Sequence, residues 1–257
     1  MPEWTVVVPF FNERDALGAT LHSLAAQTLP FRLVLVDNGS TDGSAHFAAA
    51  LVAQLRLDAA LIHEPMPGKV SALASGIAAV RTVYVATCDA DTWYPPDYLE
   101  RATALLDGGY GTVHAATAYF MVDKAAPVSN LFRAVHQLAA SWLFPFQCHS
   151  GGAGQVFLTE SLRRVGGFDP ARWNYVLEDH EIMGRLSVLG KVQSAYRFCC
   201  LPSSRPRNRA SVRWTLADRI RYHLTSRLQQ PQYFARYLAS RLAARGLSSE
   251  SLRVRES

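Results

Sequence analysis

The spacing of apolar and polar residues changes along the chain, and the changes mark out its elements. TVVVPF, near the N-terminus, is a short β-branched run that reads as a strand stopping at Pro9. From Asp15 to Gln27 the apolar residues Leu17, Leu21 and Leu24 recur at helical spacing. FRLVLVDNGS is a second buried strand that breaks into turn residues, and an alanine- and leucine-rich helix follows from Ser44 to Leu55. ALIHE predicts a third strand, SALASGIAAV a third helix, and TVYVATCDAD a fourth strand ending in acids. This alternation predicts an α/β fold with a mostly parallel sheet and helices on both faces. Ligands bind such sheets at the carboxyl ends of the strands. The polar clusters fall there: Asn12 and Glu13 after the first strand, Asp37 to Ser40 after the second, Asp89 and Asp91 after the fourth.

The pattern changes past residue 111. TVHAATAYFMV, residues 112–122, reads as one strand. Leu131, Val135, Leu138 and Trp142 line one face of a helix over 129–143 that must stop near Pro145. A glycine-rich loop SGGAG, a strand QVFLT, a helix ESLRRVG and a turn GFDP follow. LEDHEIMGRLSVLG looks helical, and a strand is expected near Ser194–Cys200. The arginine-rich PSSRPRNRAS reads as a loop, and Trp214 to Arg245 as helix broken in two by Pro231. The chain divides into a first half (1–111), a second half of the same domain (112–200), and a basic helical extension (201–257).

Composition narrows the class. A hydrophobic fraction of 49% with 18% charged residues supports a sizeable core and argues against disorder. No apolar run approaches the roughly 20 residues of a spanning helix. The N-terminus has no basic region before its apolar stretch, so it reads as a first strand and not as a signal peptide. Cys88, Cys148, Cys199 and Cys200 show no metal or redox spacing, so buried, reduced thiols and a cytoplasmic protein are expected. The formal net charge of +5 is uneven: residues 201–257 carry 12 Lys+Arg against 3 Asp+Glu, while residues 1–200 carry 14 against 18. The basic tail suits an anionic surface or substrate, or a set of solvated surface helices.

Four segments carry candidate chemistry. In CDAD, Asp89 and Asp91 leave a strand end, where two carboxylates can bind a hard divalent cation and through it a diphosphate. Turn acids capping the next helix would look the same. In VDNGSTDGS, Asp37 follows a buried strand and could accept from a base or ribose, or the segment is an ordinary turn with Ser40 or Asp42 as cap. In LEDHE, Glu178 and Asp179 open a helix; a carboxylate there can take a proton from an acceptor hydroxyl, or simply favour the helix N-terminus. In PGKVSALASG, Lys69 follows a Pro-Gly turn and could neutralise phosphate, or be solvated in a loop.

Taken in order, VVVPFFNE, LVLVDNGSTDGS, PGKVSALASG, VATCDADTWYPPDYLE, GGAGQVFLTESLRRVGGFD and LEDHEIMGRLSVLG resemble the family-2 glycosyltransferases of GT-A fold, over about residues 4–215. The resemblance implies a Rossmann-like GT-A sheet and metal-dependent (Mg or Mn), inverting transfer of one sugar from a nucleotide-sugar donor to an acceptor hydroxyl. It implies that Pro9, Phe11 and Glu13 cradle the nucleotide, with Phe11 against the base. Asp37 would read the uracil or ribose, and Lys69 would lie near the phosphates. Asp89 and Asp91 match the D-x-D motif, Asp91 being the direct metal ligand. Asp179, beside Glu178, would be the general base.

Two positions depart from the family. Ala74 stands where A-L-N-x-G has asparagine. ASVRW keeps Arg213 and Trp214 of the processive Q-x-x-R-W motif but has Ala210 for glutamine, which favours single-sugar transfer. A sugar nucleotidyltransferase would begin with a basic glycine-rich loop, and here PFFNERD stands instead. A non-catalytic sugar-binding homologue would not need both acid pairs. The acidic body opposes nucleic-acid binding, so none is expected. The tail has two apolar stripes, Ala217, Ile220, Leu224, Leu228 and Phe234, Leu238, Leu242, among six arginines. They predict peripheral contact with the inner, anionic face of the plasma membrane and a lipid-linked or glycan acceptor, unless they pack on the domain.

Overall fold

A computed structural model describes residues 3–109, 111–204 and 215–250. Seven strands form the central sheet in the order β3-β2-β1-β4-β8-β6-β9. They are β1 (Trp4–Phe10), β2 (Phe31–Asp37), β3 (Ala59–His63), β4 (Tyr84–Cys88), β6 (Val113–Thr117), β8 (Gly154–Leu158) and β9 (Lys191–Gln193). β1 pairs in parallel with β2 and β4, β2 with β3, and β6 with β9. Only β8 runs against its neighbours β4 and β6. The sheet is therefore mostly parallel, and strands from either side of residue 112 share it.

β1 and β2 show why both faces are covered. Trp4, Val6, Val8 and Phe10 alternate with Val7, and Leu33 and Leu35 with Val34 and Val36; the two sets enter separate apolar clusters. The first cluster takes Leu17, Leu21 and Leu24 of α1 (Arg14–Ala25), Ala48 and Leu51 of α2 (Ser44–Leu55), and Leu99 and Leu106 of α4 (Tyr98–Asp107). The second takes Val70, Leu73 and Ile77 of α3 (Lys69–Ala78), Leu162 of α6 (Thr159–Arg164) and Ile182 and Met183 of α7 (Glu178–Leu186). α3 lies close against β1 at Gly76, where an added Cβ would stand 2.4 Å from Val7 Cγ1.

Three sequence expectations shift. β1 does not stop at Pro9 but runs through it to Phe10. The β4 ladder on that side ends at Val7, so the missing N–H of Pro9 removes no bond there. Residues 112–122 form two strands, not one. β6 stays in the main sheet, while β7 (Tyr119–Phe120) joins β10 (Cys199–Pro202) and β5 (Thr92–Trp93) in a three-stranded sheet. The change of sheet falls at Ala118, whose N–H donates to Gly154 O. Finally, Pro231 opens a helix instead of breaking one. α8 (Leu216–Leu224) ends at Thr225, and Pro231 lies in the first turn of α9 (Gln230–Gln232), where its missing donor costs nothing. A π-helical stretch (Tyr233–Leu238) and α10 (Ala239–Ala244) complete the C-terminal segment.

The two stripes of that segment part company. Phe234, Leu238 and Leu242 are buried with Trp173, Tyr222 and Leu247 in a third apolar cluster. Ile220, Leu224 and Leu228 are exposed. The helix expected over 129–143 is α5 (Pro127–Leu143), and its buried residues are Asn130, Ala134 and Gln137, with Leu131, Val135 and Trp142 outward. Among the described residues no helix is long and apolar enough to cross a membrane. All four cysteines are free thiols. Ala210, Arg213, Trp214 and most of the arginine-rich loop lie outside the described residues.

Candidate active site

The sheet changes winding direction between β1 and β4, and open α/β sheets bind ligands at such points. The pocket there is lined by Pro9 from β1, Thr87, Cys88 and Asp89 from the end of β4, and Lys69 and Leu73 from α3. Gly152, Gln155, Phe168, Glu178 and Asp179 close it from the second half. Five of the residues singled out in the sequence, Pro9, Lys69, Asp89, Glu178 and Asp179, thus come from distant stretches into one place.

Lys69 is the first residue of α3 and not part of a solvated loop. Its Nζ lies 2.7 Å from Asp89 Oδ1 and 3.4 Å from Glu178 Oε1. Burial opposes the ammonium charge, but attraction to Asp89 and Glu178 outweighs it and holds the lysine protonated, above its usual range. The loop before it is fixed by Asn38, which the motif reading passed over. Asn38 Nδ2 donates to Glu64 O and Met66 O, and Gly68 N–H donates to Asn38 Oδ1. Its place directly after Asp37, at a buried strand end, was the available signal.

Glu178 and Asp179 are separated electrostatically. Burial raises the Glu178 carboxyl; Lys69 pulls it down and Asp179 pushes it up, and the net shift is upward. Burial also acts to raise Asp179, but the adjacent His180 and Lys69 prevail and hold it below its ordinary value. His180 N–H reaches Asp179 Oδ1 at 2.8 Å, and its ring Nδ1 lies 2.9 Å from the same oxygen. Gln155 Nε2 donates to Asp179 O at 3.1 Å. Gly152 faces this carboxylate, and an added Cβ would stand 3.3 Å from Asp179 Cβ and 3.5 Å from Lys69 Nζ. A carboxylate held below its ordinary value thus shares the pocket with a protonated lysine, an arrangement able to accept a proton next to an anionic ligand.

The D-x-D acids lie beyond the strand. β4 closes at Cys88, so no ladder imposes the alternation that would align Asp89 and Asp91. Asp89 N–H donates to the Tyr94 hydroxyl, which in turn donates to Ala153 O. Asp91 is buried outside the pocket lining, and its carbonyl accepts from Ser203 N–H. No group of three potential metal-ligating side chains occurs among the described residues. The donor set still suits magnesium or manganese, because such ions commonly take one or two carboxylates and complete their shell with phosphate oxygens and water.

Phe11, Glu13 and Asp37 do not line the pocket. They belong to two latched loops beside it. Asn12, at φ 53°, receives Thr41 N–H on Oδ1, while Asn12 N–H and Glu13 N–H donate to Ser40 Oγ and Ser44 Oγ. Asp37 Oδ1 accepts from Ser40 N–H, and its Oδ2 lies 3.3 Å from His63 Nδ1. Ala74 packs with the second apolar cluster.

Comparison with known proteins gives the same assignment. The profile of the family described as Glycosyl transferase family 2 matches residues 5–163, from β1 through β8. An uncharacterised glycosyltransferase of Mycobacterium tuberculosis is 39% identical over 127 residues, 49% of this chain and 50% of that one. An undecaprenyl-phosphate 4-deoxy-4-formamido-L-arabinose transferase of Serratia proteamaculans is 35% identical over 120 residues, 43% of this chain and 36% of that one. The chain spans about half the length, or less, of these curated relatives. Among solved structures, the mannosyltransferase PcManGT from Pyrobaculum calidifontis, in complex with GDP-Man and Mn2+, superposes with a TM-score of 0.70 at 23% identity, covering 87% of this chain and 62% of that chain. S. aureus TarS 1-349 in complex with UDP-GlcNAc gives 0.61 at 16%, covering 92% and 71%. These likenesses are of fold, and they agree with the GT-A arrangement expected from the sequence. With the family profile matched over more than half of its length, the chain belongs to glycosyl transferase family 2.

Proposed function

We propose that the protein transfers a single sugar, with inversion, from a nucleoside-diphosphate sugar to an acceptor hydroxyl, in the assembly of a cell-envelope glycan or glycolipid. The observation that carries this reading is the meeting of Lys69, Asp89, Glu178 and Asp179 in one pocket at the carboxyl ends of β1 and β4.

In this reading Asp179 accepts the proton of the acceptor hydroxyl, which then attacks the anomeric carbon opposite the departing diphosphate. Lys69 offsets charge on the phosphates once they displace its contact with Asp89. Glu178 holds the lysine, and His180 orients the Asp179 carboxylate. Asp37 and the latched Phe11–Glu13 loop receive the nucleotide. Asp89 and Asp91 would hold a magnesium or manganese ion, which supplies charge stabilisation to the leaving diphosphate. The neighbours support the donor class, since PcManGT is bound to GDP-Man and Mn2+ and TarS to UDP-GlcNAc. The Serratia relative, by its name an undecaprenyl-phosphate transferase, supports a lipid-linked acceptor.

The test is a panel of nucleotide sugars with magnesium or manganese, followed by release of nucleoside diphosphate. One donor should turn over with the metal and stop in excess chelator. Asp91→Ala should lose turnover and metal-dependent nucleotide binding together. Full activity in chelator, or pyrophosphate as product, contradicts the reading. Proton NMR of the product should show the anomeric configuration inverted relative to the donor.

A further inference from the structure

Two helices wear their apolar sides outward. α5 buries Asn130, Ala134 and Gln137, which recur at helical spacing and bond inward: Asn130 Oδ1 accepts from Val122 N–H, and Gln137 Nε2 reaches Ser194 Oγ. The opposite pole carries Val128, Phe132, Val135 and Trp142, with Phe132 72% and Trp142 85% exposed. α8 repeats the arrangement. Asp218 and Tyr222 are its buried residues, while Leu216, Ile220 and Leu224 lie outward, Leu224 at 81% exposure. A soluble helix ordinarily shows the reverse pattern. Apolar residues this large and this contiguous mark a binding surface.

The two poles join. Phe144, just past the end of α5, stacks near His223 of α8 at 4.9 Å between ring centres, and His223 Nδ1 lies 2.7 Å from Gln147 Oε1. Trp142 and Leu143 directly precede Phe144, and Leu224 directly follows His223, so residues of both poles flank this junction. The ionisable side chains on the two helices themselves are mostly basic. α5 carries Arg133 and His136 and no acid. In α8 the apolar pole is flanked by Arg219 and Arg221, and its one acid, Asp218, is buried against Arg241. An apolar face with aromatics, whose helices expose Arg133, Arg219 and Arg221 and bury their one acid, complements a layer of anionic headgroups over hydrocarbon. It does not complement a second copy of itself, because a two-fold contact would set these arginines against their own counterparts.

We propose that the outward faces of α5 and α8 together form the surface by which the protein docks on an anionic lipid bilayer. The buried stripe of Phe234, Leu238 and Leu242 takes no part. Arg227 and Arg241 also stay structural, bonded to Ser187 O and paired with Asp218. α8 links this surface to the pocket. Tyr222 of α8 hydroxyl-bonds Cys148 N–H and packs against His180, whose ring holds Asp179. A hydroxyl carried on a bilayer lipid would thus enter near Asp179, a consequence that rests on the transferase reading above.

Flotation of the full chain with phosphatidylglycerol-rich vesicles, and with phosphatidylcholine alone, tests the docking itself. The wild type should float with the anionic vesicles and far less with the neutral ones. Phe132→Glu with Trp142→Glu, and separately Ile220→Glu with Leu224→Glu, should each cut the bound fraction about tenfold or more, since binding scales with buried apolar area and with attraction to the headgroups. These side chains are solvent-facing, so melting temperature and donor hydrolysis without vesicles should not change. A wild type that stays at the bottom overturns the proposal, as do variants that float like it or equal binding to both vesicle types. If the same substitutions instead dissolve a dimer by ultracentrifugation, the face belongs to a second copy. Flotation needs neither donor nor metal, so its failure leaves the transferase reading standing, and loss of donor turnover leaves the docking standing.

Discussion

Lys69 shows how one residue can hold a pocket together before any ligand arrives. Its ammonium lies between two carboxylates that would otherwise face each other in a partly buried pocket. Lys69→Met keeps the stem and removes the charge. Unfolding free energy should fall by roughly 1–3 kcal/mol at neutral pH, the cost of leaving charged partners unpaired, and donor affinity should fall with it. Denaturant midpoints and donor titration check both; an unchanged midpoint would mean that the two carboxylates tolerate each other. Asn38→Ala removes three hydrogen bonds to the 64–68 loop and should cost about 1–3 kcal/mol, read as a melting-temperature fall of roughly 2–4 °C per kcal/mol. At this scale the site was half legible. Asp89, Glu178, Asp179 and Lys69 announced themselves through motif spacing. Gln155 and Tyr94 did not, because each acts by bonding to backbone contributed from elsewhere in the chain, and Asn38 offered only its place after a buried strand end.

Among the elements, α5 and α8 show the limit of periodicity as a guide. Periodicity located both helices but could not say which side of each faces the protein. An apolar stripe at Leu131, Val135 and Trp142 suggests burial, yet the inward side is Asn130, Ala134 and Gln137, held by hydrogen bonds to strand and loop backbone. α8 is anchored by polar contacts as well. Its N-terminus is capped by Thr215 and Asp218 bonding each other's backbone N–H, and Asp218 also meets Arg241 and the Tyr237 hydroxyl. Burial works to raise Asp218, but the bonds from Thr215 and the Arg241 charge win, and its carboxyl sits below the usual aspartate value. A depressed folded-state pKa contributes stability that is present above the unfolded value and lost as pH falls through the folded one. Asp218→Asn should therefore destabilise by about 1–2 kcal/mol near neutral pH. The difference from wild type should persist through mildly acidic pH and fade only below the usual carboxylate range. Melting curves across pH test this; a difference that stays constant into strong acid would show that the charge is not what matters.

For the molecule as a whole, the sequence-legible part was the part built by local repetition. Strand, helix and turn alternate up to β4, and each apolar run carries its own period, so the parallel half of the sheet follows from short stretches. The later half depends on partners distant in the chain. β8 enters antiparallel between β4 and β6, and residues 112–122 divide between two sheets at Ala118; neither fact has a local signature. That long-range closure brings Gly152, Gln155, Glu178 and Asp179 against the strand ends that carry Asp89. The functional account therefore rests most heavily on what the closure sets beside the proposed diphosphate site, namely the Asp179 carboxylate. The direct measurement is turnover and donor binding of Asp179→Asn in manganese, with the donor found in the panel. The account predicts turnover lower by about 10²–10⁴-fold, the usual effect of removing a positioned base, with donor affinity unchanged. Near-normal transfer by this variant would contradict it.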